Sequence, residues 1–211
     1  MAKIIALIGI DGSGKTTQAR LLHYMLKKHG YKVKVTYAGN TGLRLGRNFS
    51  FYLSLPLDVI VHRLLGSQSR QTLLKYRELL NLEDFLLFLN YVIIVLPKIL
   101  LYTKLYSILI TDRYVYDYIL SRIAIQSNSL ILFQILMGMC PKPDMIILLD
   151  ISESLAYNRK KEDKSIYELK LLRKLYLNFS AKYECYIVDT SNPKPVVFRK
   201  LYKAIMAKLD E

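Results

Sequence analysis

Residues 9–16 read GIDGSGKT, and the chemistry open to such a string is the capture of phosphate. It matches G-x-x-x-x-G-K-[ST], in which glycines let the backbone close around phosphate oxygens, a lysine reaches the outer phosphates and a hydroxyl serves a divalent cation. The stretch offers Asp11, Gly12, Ser13, Gly14, Lys15, Thr16 and, as a weaker contact, Thr17. A second place for chemistry is ITDR, where Asp112 and Arg113 stand side by side at the end of an apolar run. The acid there can organise magnesium or its waters and the arginine can reach an acceptor phosphate, although a strand-end ion pair is the plainer reading. A third is NRKKEDK at 158–164, where Arg159, Lys160 and Lys161 can carry positive charge over a transferred phosphoryl group, or form a solvated charge run.

These residues need elements to position them. KIIALIG at 3–9 is a continuous apolar run of strand length, and Ala19, Leu22, Met25 and Leu26 then recur at helical spacing. The phosphate string thus falls between a strand and a helix, where exposed amides and the helix N-terminus favour an anion. GYKVKVTYAG suggests a second strand ending near Gly39, with Gly42 and Gly46 in a flexible connection beyond it. From Leu53 to Tyr106 the pattern predicts helix, broken at Ser67 and around Asn81 and kinked at Pro97. YSILITD, DMIILLD and ECYIVD supply three more strands, and helices are predicted over 113–138, from Ser152 and after Pro195. Short apolar strands alternating with helices indicate an α/β fold: a five-stranded, mostly parallel sheet with helices on both faces and a short lid near 158–164. The 211 residues suit a single domain.

Composition narrows the partners. Net charge is +14, and residues 1–50 hold nine Lys/Arg against one acid, Asp11, which suggests an anionic partner, either nucleic acid or a small phosphorylated ligand. Two cysteines, Cys140 and Cys185, are too few for a disulfide framework or a four-ligand zinc site, so a reducing cytoplasmic setting is expected. No signal peptide is evident, and Asn90, Pro97, Lys98 and Lys104 interrupt the most apolar stretch, so no membrane span is expected. The chain lacks the base-reading N-K-x-D string of GTPases and is short for a motor, which favours a small kinase.

IALIGIDGSGKTTQARLL, ITDRY, KPDMIILLD and the NRKKED position, in that order, resemble the thymidylate kinase family of nucleoside monophosphate kinases. The resemblance implies a P-loop NTPase fold, ATP and Mg2+ as cofactors, a nucleoside monophosphate acceptor with dTMP as the best guess, and a homodimer through apolar residues 85–109. It implies that Asp11 lies near the acceptor's sugar, that Arg113 holds its phosphate, that Phe88 stacks on its base and that Arg159 supplies a lid arginine, since Gly12 stands where some members carry one. The chain departs from the family pattern in YAGNTG after the second strand, in FLNYVI after the phenylalanine, and in VYDYILSRIAIQ after DRY. Asp117, Ser121, Arg122 and Gln126 offer replacement polar contacts there, or plain helix decoration. Two further readings stay open: a kinase for a nucleoside or another small alcohol, and a nucleotide-dependent nucleic-acid-binding protein.

Overall fold

The structure, a computed structural model, describes residues 2–39, 77–125, 129–160 and 164–210. Gly42, Gly46, the helical pattern from Leu53 to residue 76 with its break at Ser67, Gln126 and Lys161 lie outside the described residues.

Strands β1 (Lys3–Ile8), β2 (Val33–Tyr37), β3 (Ile108–Asp112), β4 (Met145–Asp150) and β5 (Tyr186–Asp189) form one sheet in the order β2-β3-β1-β4-β5, and all four pairings are parallel. The inner strands β1, β3 and β4 read as apolar runs because both faces are covered, whereas the edge strands β2 and β5 are partly exposed. Ile5 and Leu7 of β1 pack with Leu22 and Leu26 of α1 (Lys15–Lys28) and with Leu201 and Ile205 of α8 (Lys194–Asp210). Ile4, Ala6 and Ile8 point the other way, into a cluster with Tyr91, Ile99, Leu136 and Tyr176. Each fully buried leucine or isoleucine of this set contributes roughly 1.5–3 kcal/mol.

The second face is built by α2 (Arg77–Asn90), a π-helical turn (Tyr91–Val95), α3 (Leu96–Leu105), α4 (Val115–Ala124), α5 (Leu130–Met139) and α7 (Ile166–Lys182). Residues 158 and 159 of the expected lid close the short α6 (Glu153–Arg159). Two sequence expectations are corrected here. Helix passes through Asn81 without the expected break; at Pro97, the place of the expected kink, the run stays helical, with a wider π-turn just before the proline and the proline itself in the first turn of α3. Asp84–Leu105 is therefore one helical run long and apolar enough, by length and composition, to cross a membrane. Tyr91, Leu96 and Ile99 on that run are buried in the core. The helix expected over 113–138 is likewise two helices, α4 and α5.

Polar side chains tie the layers together. Arg173 on α7 donates from Nε and Nη2 to the two Asp150 oxygens at the end of β4, both at 2.8 Å, and from Nη1 to Glu153 of α6 at 3.1 Å. Asp84 on α2 is fully buried, pairs with Arg122 of α4 and accepts from Ser129 Oγ at 2.7 Å. Arg122 is therefore a buried cation between helices, and Ser121 Oγ merely donates to Tyr118 O at 2.7 Å. Cys140 and Cys185 are unpaired, and burial pushes the Cys140 thiol up to about 12. Arg122→Met, which strands the Asp84 charge, should cost about 3–5 kcal/mol in urea unfolding, and Asp84→Leu added to it should recover most of that. A single variant with an unchanged midpoint would contradict the role given to this pair.

Candidate active site

The carboxyl ends of β1, β2 and β3 arrive together because their pairing is in register: Leu7 lies opposite Asp112, and Asp112 opposite Tyr37. The chain leaves β1 through three left-handed glycines, Gly9 (φ 140), Gly12 (φ 83) and Gly14 (φ 91), and enters α1 at Lys15. The helix start has no side-chain cap and no acid in its first turn, so its amides and dipole are free to favour phosphate. Two of the glycines also make room. A Cβ at Gly9 would lie 2.6 Å from Leu149 O of β4, and one at Gly12 would lie 2.6 Å from Ala156 O of α6.

Lys15 is buried and donates from Nζ to Gly9 O at 2.7 Å, Ile10 O at 2.8 Å and Ser13 Oγ at 3.3 Å. Burial, followed by the nearby Arg113 charge, pulls its pKa down to about 8 against the pull of Asp117, Asp11 and Asp112. Thr16 Oγ1 donates to Asp112 Oδ2 at 2.5 Å, which joins the loop to the end of β3.

Arg113, the next residue, holds the left-handed φ of 71° that non-glycine residues seldom take, and its backbone N donates to Leu7 O at 3.0 Å. A conformation of this kind costs on the order of 1–3 kcal/mol and persists where the surroundings over-determine it. Here they do. The guanidinium pairs with Asp11 through Nη2 and lies 3.9 Å from Asp117 through Nη1. Gly39 leaves space for it: a Cβ there would come within 2.6 Å of Arg113 Cδ and 2.5 Å of the Tyr37 hydroxyl. Asp11 also accepts from Lys164 Nζ at 2.7 Å. Burial alone would raise the Asp11 carboxyl, but Arg113, Lys164 and Lys15 outweigh it and hold the group well below the usual carboxylate range.

A cleft of about 1480 Å³ joins these groups. Asp11 through Thr17, Asp112, Arg113, Arg159 and Lys160 all line it, so the phosphate string, the end of β3 and the start of the 158–164 run meet in one place. Phe88 does not line the cleft; it is partly buried and packs against the core. The apolar wall comes instead from Ile94 and Val95 of the π-turn, with Lys98 of α3 beside them. Arg159 sits at the C-terminal end of α6 and donates from Nη2 to Thr190 O at 3.0 Å, in the loop after β5 that forms the opposite rim with Ser191, Asn192 and Pro193.

The family model described as thymidylate kinase matches residues 62–201. The chain belongs to the thymidylate kinase family. Its phosphate loop lies ahead of that match, but relatives align over nearly the whole chain. A probable thymidylate kinase 1 of Saccharolobus solfataricus is 30% identical, covering 99% of this chain and 100% of its own. A probable thymidylate kinase of Archaeoglobus fulgidus is 29% identical over 98% of this chain and 96% of its own. The parallel sheet and its phosphate loop are the P-loop NTPase fold of this family, and the chain is a nucleoside monophosphate kinase of the thymidylate kinase type. Membership does not favour the nucleic-acid-binding reading.

Sequence reasoning left Asp117 open and missed three other features around the cleft. Asp117 is buried where surface decoration was an open reading; its spacing of four from Arg113 was the only signal. Tyr176 and the rim after β5 carry no motif, and Lys164 looked like one cation among several. The crowding at Gly12 yields a direct test. Gly12→Ala should lower the melting temperature more than Gly14→Ala, because both need positive φ but nothing lies within 4 Å of a Cβ at Gly14. Equal losses would mean that the Ala156 contact is immaterial.

Proposed function

We propose that the protein transfers the γ-phosphoryl group of ATP to dTMP, giving ADP and dTDP. The observation that carries this reading is the single cleft into which both Lys15 and Arg113 face, with Asp11 between them. The thymidylate named in the relatives supports the choice of acceptor. An oxygen of the acceptor phosphate bonds to the γ-phosphorus as the bond to the β–γ bridging oxygen breaks, and catalysis rests on positioning and charge neutralisation. Gly12 to Thr17 cradle the donor phosphates, Lys15 meets the charge on the β- and γ-phosphates, Arg113 clamps the acceptor phosphate and Asp11 faces the acceptor sugar. Arg159 brings a cation to the donor side of the lid at 158–164, and 1–211 act as one domain.

The Thr16 hydroxyl and Asp112 carboxylate fit Mg2+: they are hard oxygen donors in contact at 2.5 Å, too few to cage an ion without water and phosphate oxygens. Among the described residues no cluster of three or more His, Cys, Asp or Glu could hold a metal by itself. Bound there, Mg2+ would neutralise charge on the phosphates. Two cysteines outside any disulfide, Cys140 buried and Cys185 half-buried, support a cytoplasmic setting. The exposed apolar side chains of the α2–α3 run, among them Phe85, Ile93 at 65% and Leu101 at 52% exposure, support a homodimer through residues 85–109.

ADP release with ATP and Mg2+ across a panel of monophosphates and nucleosides should depend on the acceptor and be fastest with dTMP. Lys15→Ala should cut kcat by on the order of 10²–10³ or more, and Arg113→Ala should raise the KM for dTMP while leaving ATP binding within about twofold. Wild-type rates in both variants would sink the assignment. Light scattering should give twice the chain mass, and Leu101→Glu should shift it toward one; a monomeric wild type removes the dimer.

A further inference from the structure

Asp117 is 3% exposed, does not line the cleft, and spends both oxygens on parts of the site. Oδ1 accepts from Tyr176 OH of α7 at 2.7 Å and from Gly9 N, the first residue of the phosphate loop, at 3.4 Å; Oδ2 accepts from Tyr114 N at 2.9 Å. The same Oδ1 lies 3.9 Å from Arg113 Nη1. One carboxylate therefore touches the donor loop, the peptide that follows Arg113 and the guanidinium itself. A buried carboxylate demands such partners, because leaving it unpaired costs far more than solvating it at the surface.

The two acids that flank Arg113 differ in access. The Asp11 side chain is 22% exposed and lines the cleft, whereas that of Asp117 is 2% exposed and lies behind the guanidinium. A phosphate entering the cleft can take over the guanidinium edge that Asp11 holds. It cannot reach the Asp117 edge. We infer that Asp117 is a positioning residue for the acceptor phosphate: it keeps the Arg113 guanidinium aimed into the cleft when Asp11 yields its place, and it ties that aim to the phosphate loop through Gly9. This rests on the reading that Arg113 clamps the acceptor phosphate. A mere helix cap at the first turn of α4 would serve Tyr114 N alone; the contacts to Tyr176, Gly9 and Arg113 exceed that need.

Steady-state kinetics with dTMP and ATP varied separately test it. Asp117→Asn keeps the shape and an acceptor oxygen but removes the charge; it should raise the dTMP KM on the order of tenfold and leave the ATP KM within about twofold. In an Arg113→Ala background the same change should add nothing to the dTMP KM. Tyr176→Phe, which loosens Asp117 without touching a charge, should move the dTMP KM in the same direction by less and serves if Asp117→Asn does not fold. Unchanged dTMP KM in the folded variants, or equal rises for both substrates with a fallen melting temperature, would overturn the inference in favour of a structural cap. If Arg113→Ala itself leaves the dTMP KM unchanged, the clamp reading fails and this inference fails with it.

Discussion

The parallel register of β1 against β3 is the constraint on which the site depends. With Leu7 opposite Asp112, the first turn out of β1 and the first turn out of β3 start at the same height, and Arg113 N continues the ladder onto Leu7 O. The Thr16 hydroxyl can then meet the Asp112 carboxylate, and Asp11 can meet the guanidinium of Arg113. Register is secured by burial on both faces: Ala6, Leu7, Leu109 and Ile110 are wholly inaccessible, and a slip of one residue would exchange the faces of the entire strand. Apolar packing in the sheet thus sets polar distances several ångströms beyond its end.

What the register gathers is an alternation of charge. Asp117, Arg113, Asp11 and Lys164 follow one another with opposite signs as neighbours, Lys15 and Asp112 lie beside them, and several of the six are removed from water. Such a set is tolerable only when every member has a partner, since the low dielectric that strengthens each attraction also raises the cost of any vacancy. The direction of the Asp11 and Arg113 shifts follows from it: in each, the opposite charges overcome the effect of burial.

Much of this is legible in the sequence. The phosphate string declared its loop, the unbroken apolar runs declared a sheet covered on both sides, and the strand ending at Asp112 could be aligned with that loop. Local chemistry of this kind is written in consecutive residues. What escaped is written in packing. Asp117 stayed open between polar contact and helix decoration because burial of one carboxylate leaves no period, and Tyr176 belongs to a helix that reaches the site only through the tertiary fold. Phe88 was singled out by likeness, but it packs against the core, while Ile94 of the π-turn and Lys98 beyond it line the cleft. No hydropathy pattern announces one extra residue in a helical turn.

The contact between Gly12 and Ala156 has a consequence for how such chains can change. The two positions are remote in sequence, yet the gap between the loop and α6 is only as wide as a missing methyl group permits. A loop borrowed from a relation bearing a side chain at position 12 would not seat against this helix, and this helix would leave a void against that loop. The segments can be exchanged only as a pair, so descent has to carry them together or repair both at once.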